Sequence, residues 1–189
     1  NVADEKLIIT ANNNIVSINS DSYKAQILGV DPKDFPIIPK VKKDNSFQVP
    51  GGDLKAAIAG VIDSTALTET RPELNGICVN VFKNRAELAA TDSFRLSEKS
   101  IDVTNENNKS FIMPRSTALE IMRILENSGG DVTVAVSDNQ ILISGDDFEI
   151  VSRLVDGRYP DYKKIIPNKF SSFVRIDRKN LEKNIRMAS

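Results

Sequence analysis

The chain has no histidine and no tryptophan, one cysteine, and no apolar run of membrane-spanning length in its 189 residues. Each absence narrows the chemistry. Without histidine there is no Ser-His-Asp or Cys-His catalysis, no general base that titrates near neutrality unperturbed, and little prospect of a zinc or iron site. The lone Cys78 lies in the apolar string GICVNVF, where it reads as a small core residue in a reducing compartment, not half of a disulfide. No stretch of about twenty apolar residues offers a helical membrane span. With 25 basic and 26 acidic side chains, the net charge of −1 excludes a generally basic nucleic-acid binder, though not a local basic face. The acidic pairs Asp146-Asp147 and Glu69 near Glu73 fall in turn-forming strings, where solvated charge is the ordinary explanation. No cofactor is expected.

What the chain does have is a repeat. Residues 7–36 read LIITANNNIVSINSDSYKAQILGVDPKDFP, and residues 132–160 read VTVAVSDNQILISGDDFEIVSRLVDGRYP. Each holds two alternating strands joined at a polar tip, Asn13-Asn14 or Asp138-Asn139, then an acidic turn leading to Tyr23 or Phe148 and a third strand. Farther on, SFQVPGGDLKAAI from Ser46 matches SFVRIDRKNLEKNI from Ser172, a Phe-led strand running into an amphipathic helix. The period is about 125 residues, the size of a small domain and not of a solenoid unit. The phase of the repeat implies the tail of one copy (1–44), a complete copy (45–168) and the opening of a third (169–189). The absence of an initial Met and of a cap after Ala188-Ser189 fits a piece of a longer protein.

Within the complete copy, Ser46–Val49 reads as a strand and Gly51-Gly52 as the entry to a helix. Leu54, Ala57, Ile58, Val61, Ile62 and Thr65 form its buried stripe, opposite Lys55, Ala56, Ala59, Gly60 and Asp63. Strands follow at 77–82, 86–91, 94–100 and 110–113. Pro114 opens a second helix, with Thr117 and Glu120 spaced as a capping box, a stripe of Ala118, Ile121, Met122 and Leu125, and Gly129-Gly130 as its stop. Strands at 132–137, 140–144 and 148–154 close the unit. Two helices against about eight antiparallel strands make an α+β fold.

The strings ETRPELNG, ATDSFRL, MPRSTALEIMRIL and above all SRLVDGRYPDYKKIIP resemble the β subunit of bacterial DNA polymerase III, the sliding-clamp family. The resemblance covers essentially the whole chain and implies the DNA-clamp fold, tandemly repeated. It implies a non-catalytic, cytoplasmic processivity factor that closes head-to-tail as a ring-shaped homodimer around duplex DNA. Its partners would be the polymerase α subunit, the clamp loader and other proteins carrying a clamp-binding motif. Such a ring attracts phosphates weakly and without sequence preference, which lets it slide. The implied DNA-facing cations are Lys55, Arg115 and Arg123, with Lys179, Lys183 and Arg186 on the last helix. Each taken alone is an ordinary solvated side chain, and their common placement on outer helix faces gives them weight. The implied ring interface is the strand with Tyr23, Ala25 and Ile27.

The same resemblance implies a groove for extended partner peptides, built from Arg71, Leu74, Thr91, Ser93, Phe94, Leu96, Pro160, Tyr162 and Ile165. Leu74, Leu96, Pro160 and Ile165 would wall its main pocket, with Arg71 and Thr91 as polar anchors. The chain departs from the family at Ser93-Phe94, usually Gly-His, and at Pro72-Glu73, where long polar or aromatic side chains usually meet DNA. Two other readings compete. Asp92, Asp156 and Asp161 could form a metal-dependent carboxylate site, although turn capping explains Asp156 and Asp161. A tandem β-rich protein-interaction module without a DNA role is the other.

Overall fold

A computed structural model describes residues 6–35, 41, 46–68, 70–106, 108–126 and 128–188. The expectations placed on Pro36, Glu69, Ser189 and the boundary at residues 44 and 45 lie outside these residues. The chain divides into two units, Asn1–Val41 and Lys42–Ser189.

In the first unit, strands β1 (Ile8–Asn12), β2 (Ile15–Asn19) and β3 (Lys24–Leu28) form an antiparallel meander in that order. Asn13 and Asn14 connect β1 to β2 with φ of 48° and 61°. Two successive left-handed residues give the tight hairpin turn whose twist matches the strands, and Asn tolerates that region better than most residues. Asp31 starts a short 3-10 turn (Pro32–Asp34) by accepting the Lys33 N–H at 2.9 Å.

In the second unit, β4 (Ser46–Pro50) leads directly into α1 (Gly51–Val61), followed by a 3-10 turn (Ile62–Ser64). Strands β5 (Gly76–Val81), β6 (Arg85–Thr91), β7 (Leu96–Asp102) and β8 (Lys109–Pro114) come next. After α2 (Arg115–Leu125) come β9 (Asp131–Val136), β10 (Gln140–Ser144) and β11 (Glu149–Arg153). The strands make two four-stranded antiparallel sheets, ordered β11-β10-β9-β4 and β7-β6-β5-β8. Phe47, Val134 and Ile143 from one sheet, Val79, Leu88 and Met113 from the other, and Ile58 and Ile121 from the helices share one core. The α1 stripe is buried as its 3.6-residue period requires, with Ala57 and Ile58 fully inaccessible. The last helix, α3 (Arg178–Ala188), has no buried residue. Among the described residues no helix is long and apolar enough to cross a membrane.

Four local expectations are corrected. Thr117 does not cap α2: Pro114 occupies the cap position with no side-chain bond. Thr117 lies a turn inside, buried, with its hydroxyl 2.7 Å from that of Ser152 on β11. Packing against the sheet takes the hydroxyl that the spacing had assigned to the helix end. Met122 is half-buried, at the edge of the core. β7 begins at Leu96 and not at Phe94, because residues 92–95 form a tight turn. Residues 172–177, expected as a strand, pair with no strand of the described residues.

Candidate functional site

The register of the β7-β6-β5-β8 sheet draws two of the motif strings together. Cys78 pairs with Ala89, which places the Gly76 end of β5 beside the Thr91 end of β6, and Leu96 opens β7 opposite Thr91. The loop before Gly76 and the turn after Thr91 therefore meet at one end of the sheet. Arg71 joins them, its Nη1 donating to Ser93 Oγ at 3.4 Å while its Nε pairs with Glu73 at 3.2 Å. Asn75 anchors the loop twice: its side-chain amide donates to the Ala66 carbonyl at 2.8 Å, and its own carbonyl accepts the Arg115 N–H at 3.1 Å. Gly76 has no substitute, because a Cβ there would stand 2.6 Å from Ile112 Cγ2 and 2.8 Å from the Met113 carbonyl.

The turn after Thr91 is held from inside. Asp92 Oδ1 accepts the N–H groups of Phe94 and Arg95 at 2.9 and 3.0 Å. These two bonds, Arg95's first, hold the Asp92 carboxyl below its usual value, with the Arg95 guanidinium adding to the effect. Thr91 Oγ1 donates to the Arg95 carbonyl at 2.7 Å and accepts the Ser93 N–H at 3.1 Å. Ser93 adopts φ of 79°, and Phe94 projects outward, 98% exposed.

The third string arrives from β11. The left-handed Gly157 (φ 143°) turns the chain, and residues 159–165 then cross the outer face of the sheet as a strap ending in a 3-10 turn (Tyr162–Ile165). Tyr159 Oη accepts the Thr91 N–H at 3.0 Å. Tyr162 is buried on Cys78 and Ala89, with Leu96 and Tyr159 packed around them. The two tyrosine rings meet edge to face, 6.4 Å apart. Lys163 Nζ reaches Glu87 on β6 at 2.9 Å and Glu98 on β7 at 2.7 Å, and Arg85 holds the other Glu87 oxygen at 2.9 Å.

Burial sets the electrostatics here. It pushes the Cys78 thiol up to about 11, so Cys78 is an inert core residue at neutral pH. It pushes Tyr159 up to about 12, against the opposing Thr91 N–H. Tyr162 is raised too, by burial first and then by the Glu98 carboxylate beside it. Its hydroxyl closes no hydrogen bond of good geometry and is the one such buried side-chain atom among the described residues. Burial also pushes Glu87 up, but hydrogen bonds from Lys163 and Arg85 outweigh it and hold the carboxyl below its usual value. Lys163 is raised by its bonds to Glu87 and Glu98.

The three strings that carry the sequence-expected groove residues thus meet, and those residues differ in exposure. Arg71, Phe94, Pro160 and Ile165 are exposed, Leu96 is half-buried, and Leu74 and Tyr162 are buried. Thr91, expected as a polar anchor, is buried with its hydroxyl committed to the turn. Sequence reasoning missed Tyr159, Lys163, Glu87 and Glu98, which hold the strap. Only the strand alternation of Glu87 and Glu98 could have pointed at them, as two carboxylates on the face of a sheet opposite its core.

The expected DNA-facing cations of α1 and α2 all have partners. Lys55 lies 3.7 Å from Glu126, Arg115 Nη1 donates to the Ile62 carbonyl at 3.4 Å, and Arg123 pairs with Glu120. Exposed Asp53 adds negative charge to α1, and exposed Asp63 to the 3-10 turn that follows it. On α3, Lys179, Lys183 and Arg186 share one face by their spacing, with Arg186 2.9 Å from Glu182. In the first unit, Tyr23 falls just before β3 and not on it; Tyr23 and Ile27 are about half exposed and Ala25 is half-buried. Among the described residues, no three His, Cys, Asp or Glu side chains are grouped to hold a metal ion.

Comparison with known proteins gives a consistent result. Residues 48–161 match the family model of the DNA polymerase III beta subunit, central domain. The chain is 30% identical over 154 residues to the beta sliding clamp of Staphylococcus epidermidis, covering 81% of this chain and 41% of that protein. The solved DNA polymerase III beta subunit of Thermotoga maritima superposes with a TM-score of 0.80 at 30% identity, over 89% of this chain and 46% of that one. The DNA polymerase sliding clamp of Bacillus subtilis gives 0.79 at 26% identity, over 86% and 44%. The chain spans about two fifths of the length of the curated relatives it matches. It belongs to the family of the DNA polymerase III beta subunit, whose central domain matches residues 48–161.

Proposed function

We propose that this chain is part of a sliding clamp, a non-catalytic cytoplasmic processivity factor that encircles duplex DNA and tethers the replicative polymerase and other proteins through a peptide groove. In this reading residues 1–44 end a first clamp domain, 45–168 form the central domain and 169–189 open a third. Two full-length chains close head-to-tail, with Ala25 and Ile27 on the contact strand and Tyr23 just before it. The observation that carries the proposal is the meeting of residues 71–76, 91–96 and 159–165 at one end of one sheet, within a chain of this family. Half-buried Leu96 packs on the Tyr162 cluster, the strap carrying exposed Pro160 and Ile165 docks on that same cluster, and Arg71 bonds to Ser93 in the neighbouring turn. A peptide with apolar side chains and a leading polar residue suits such a surface.

Leu96→Asp in the full-length protein tests it. A charge on the apolar wall should weaken binding of a Gln-Leu-Ser-Leu-Phe peptide by about 1–3 kcal/mol, several-fold to a hundredfold. Calorimetry on the folded variant reads the effect, and an unchanged affinity overturns the groove assignment.

A further inference from the structure

Given the groove reading above, on which this step rests, we infer that Lys163 is a positioning residue: its ammonium latches the strap that forms one groove wall. The strap pairs with no strand of the described residues, and among those residues three of its side chains hold it to the sheet. Tyr159 accepts the Thr91 N–H, Tyr162 fills the small cluster with Cys78 and Ala89, and Lys163 bridges Glu87 and Glu98. Pro160 and Ile165, interleaved with these anchors, stay exposed. Docked and outward residues therefore alternate along one short segment, and the docked ones fix where the outward ones stand.

Of the three anchors, Lys163 joins the strap to two strands at once. Glu87 is 8% exposed at its side chain, and Arg85 fixes it from the far side. The bridge is thus a four-member charge network and not an isolated surface pair, which would hold little. The Lys163 ammonium also lies 5.4 Å from the Tyr162 ring centroid, tying the ionic anchor to the apolar one. The Tyr162 cluster is separate from the main core, so loosening the strap leaves the domain folded. A wall held in its bound position before the peptide arrives removes an ordering cost from binding.

The test compares Lys163→Met, Lys163→Arg and Leu96→Asp in the full-length protein, each titrated with the Gln-Leu-Ser-Leu-Phe peptide. Lys163→Met keeps the aliphatic stem and removes the charge. It should weaken the peptide about three- to tenfold, with thermal unfolding little changed and faster amide exchange confined to residues 159–165. Lys163→Arg should restore both readouts. Glu98→Gln, which removes one partner and leaves Lys163 in place, provides a second route to the same loosening. If Leu96→Asp weakens binding while Lys163→Met and Glu98→Gln leave affinity and exchange unchanged, the latch is wrong and the groove stands. If no variant changes affinity, the groove reading itself falls.

Discussion

Gly76 shows how one residue fixes the site's geometry. Its backbone runs so close to β8 that a methyl group would overlap Ile112 and the Met113 carbonyl. The strand end would have to separate from β8, taking with it the Asn75 bonds to Ala66 and Arg115. We expect Gly76→Ala to cost about 1–3 kcal/mol by overpacking, seen as a lowered midpoint in chemical denaturation. An unchanged midpoint would mean that β5 and β8 separate easily at this point. Asp92 acts in the opposite sense, as a short carboxylate that ties three bonds into one turn and leaves Phe94 wholly in solvent. At this position the chain presents an aromatic ring to solvent on a turn tied by those three bonds.

The strap has its own pH limits, because its anchors titrate differently from free side chains. Glu87 is held below its usual value of 4.5 once its bonds outweigh burial. Its contribution is complete above the unfolded carboxyl's range and is lost as pH falls through the lowered folded value. Tyr159 is pushed the other way, to about 12. Its contribution is complete below 10, the usual phenol value, and disappears as pH rises through the folded value. The strap should stay docked across the neutral range and loosen below about pH 4, where unfolded carboxyls begin to protonate. Two of the chain's three tyrosines lie in the strap and the chain has no tryptophan, so tyrosine fluorescence reads it directly. Loosening already at pH 6 would show that the Glu87 bridge is not what holds it.

For the whole molecule the clamp reading makes a claim about charge. Two of the three expected cations on α1 and α2 have acidic neighbours, Lys55 facing Glu126 and Arg123 facing Glu120, while Arg115 donates to the Ile62 carbonyl. Such a surface attracts phosphates only weakly, as sliding requires. In full-length protein, Arg115→Glu combined with Arg123→Glu should weaken DNA binding equally on any sequence. The slope of log affinity against log salt should fall by about 0.9 for each phosphate no longer neutralised. An altered base preference would overturn the assignment, as would an equal effect from Lys24→Glu on β3, a charge outside these helices. The test requires the full chain, because this one spans about two fifths of its curated relatives.

Periodicity alone determined much of this protein. The α1 stripe, the strand alternation and the Asn13-Asn14 tip follow from spacing and backbone preference, which act over a few residues, and the structure has them where the sequence places them. The motif strings carried the family resemblance, because a run such as RYPDYKKIIP is more specific than turn chemistry demands. Tertiary structure decided the rest. Thr117 has the spacing of a cap, yet its hydroxyl bonds to Ser152, 35 positions away. Lys163 looks like one of two solvated lysines until β6 and β7 bring Glu87 and Glu98 beneath it, the first of them 76 positions away. Local spacing cannot reveal partners that only sheet register brings together, and here those partners bind the strap's Lys163 to the sheet.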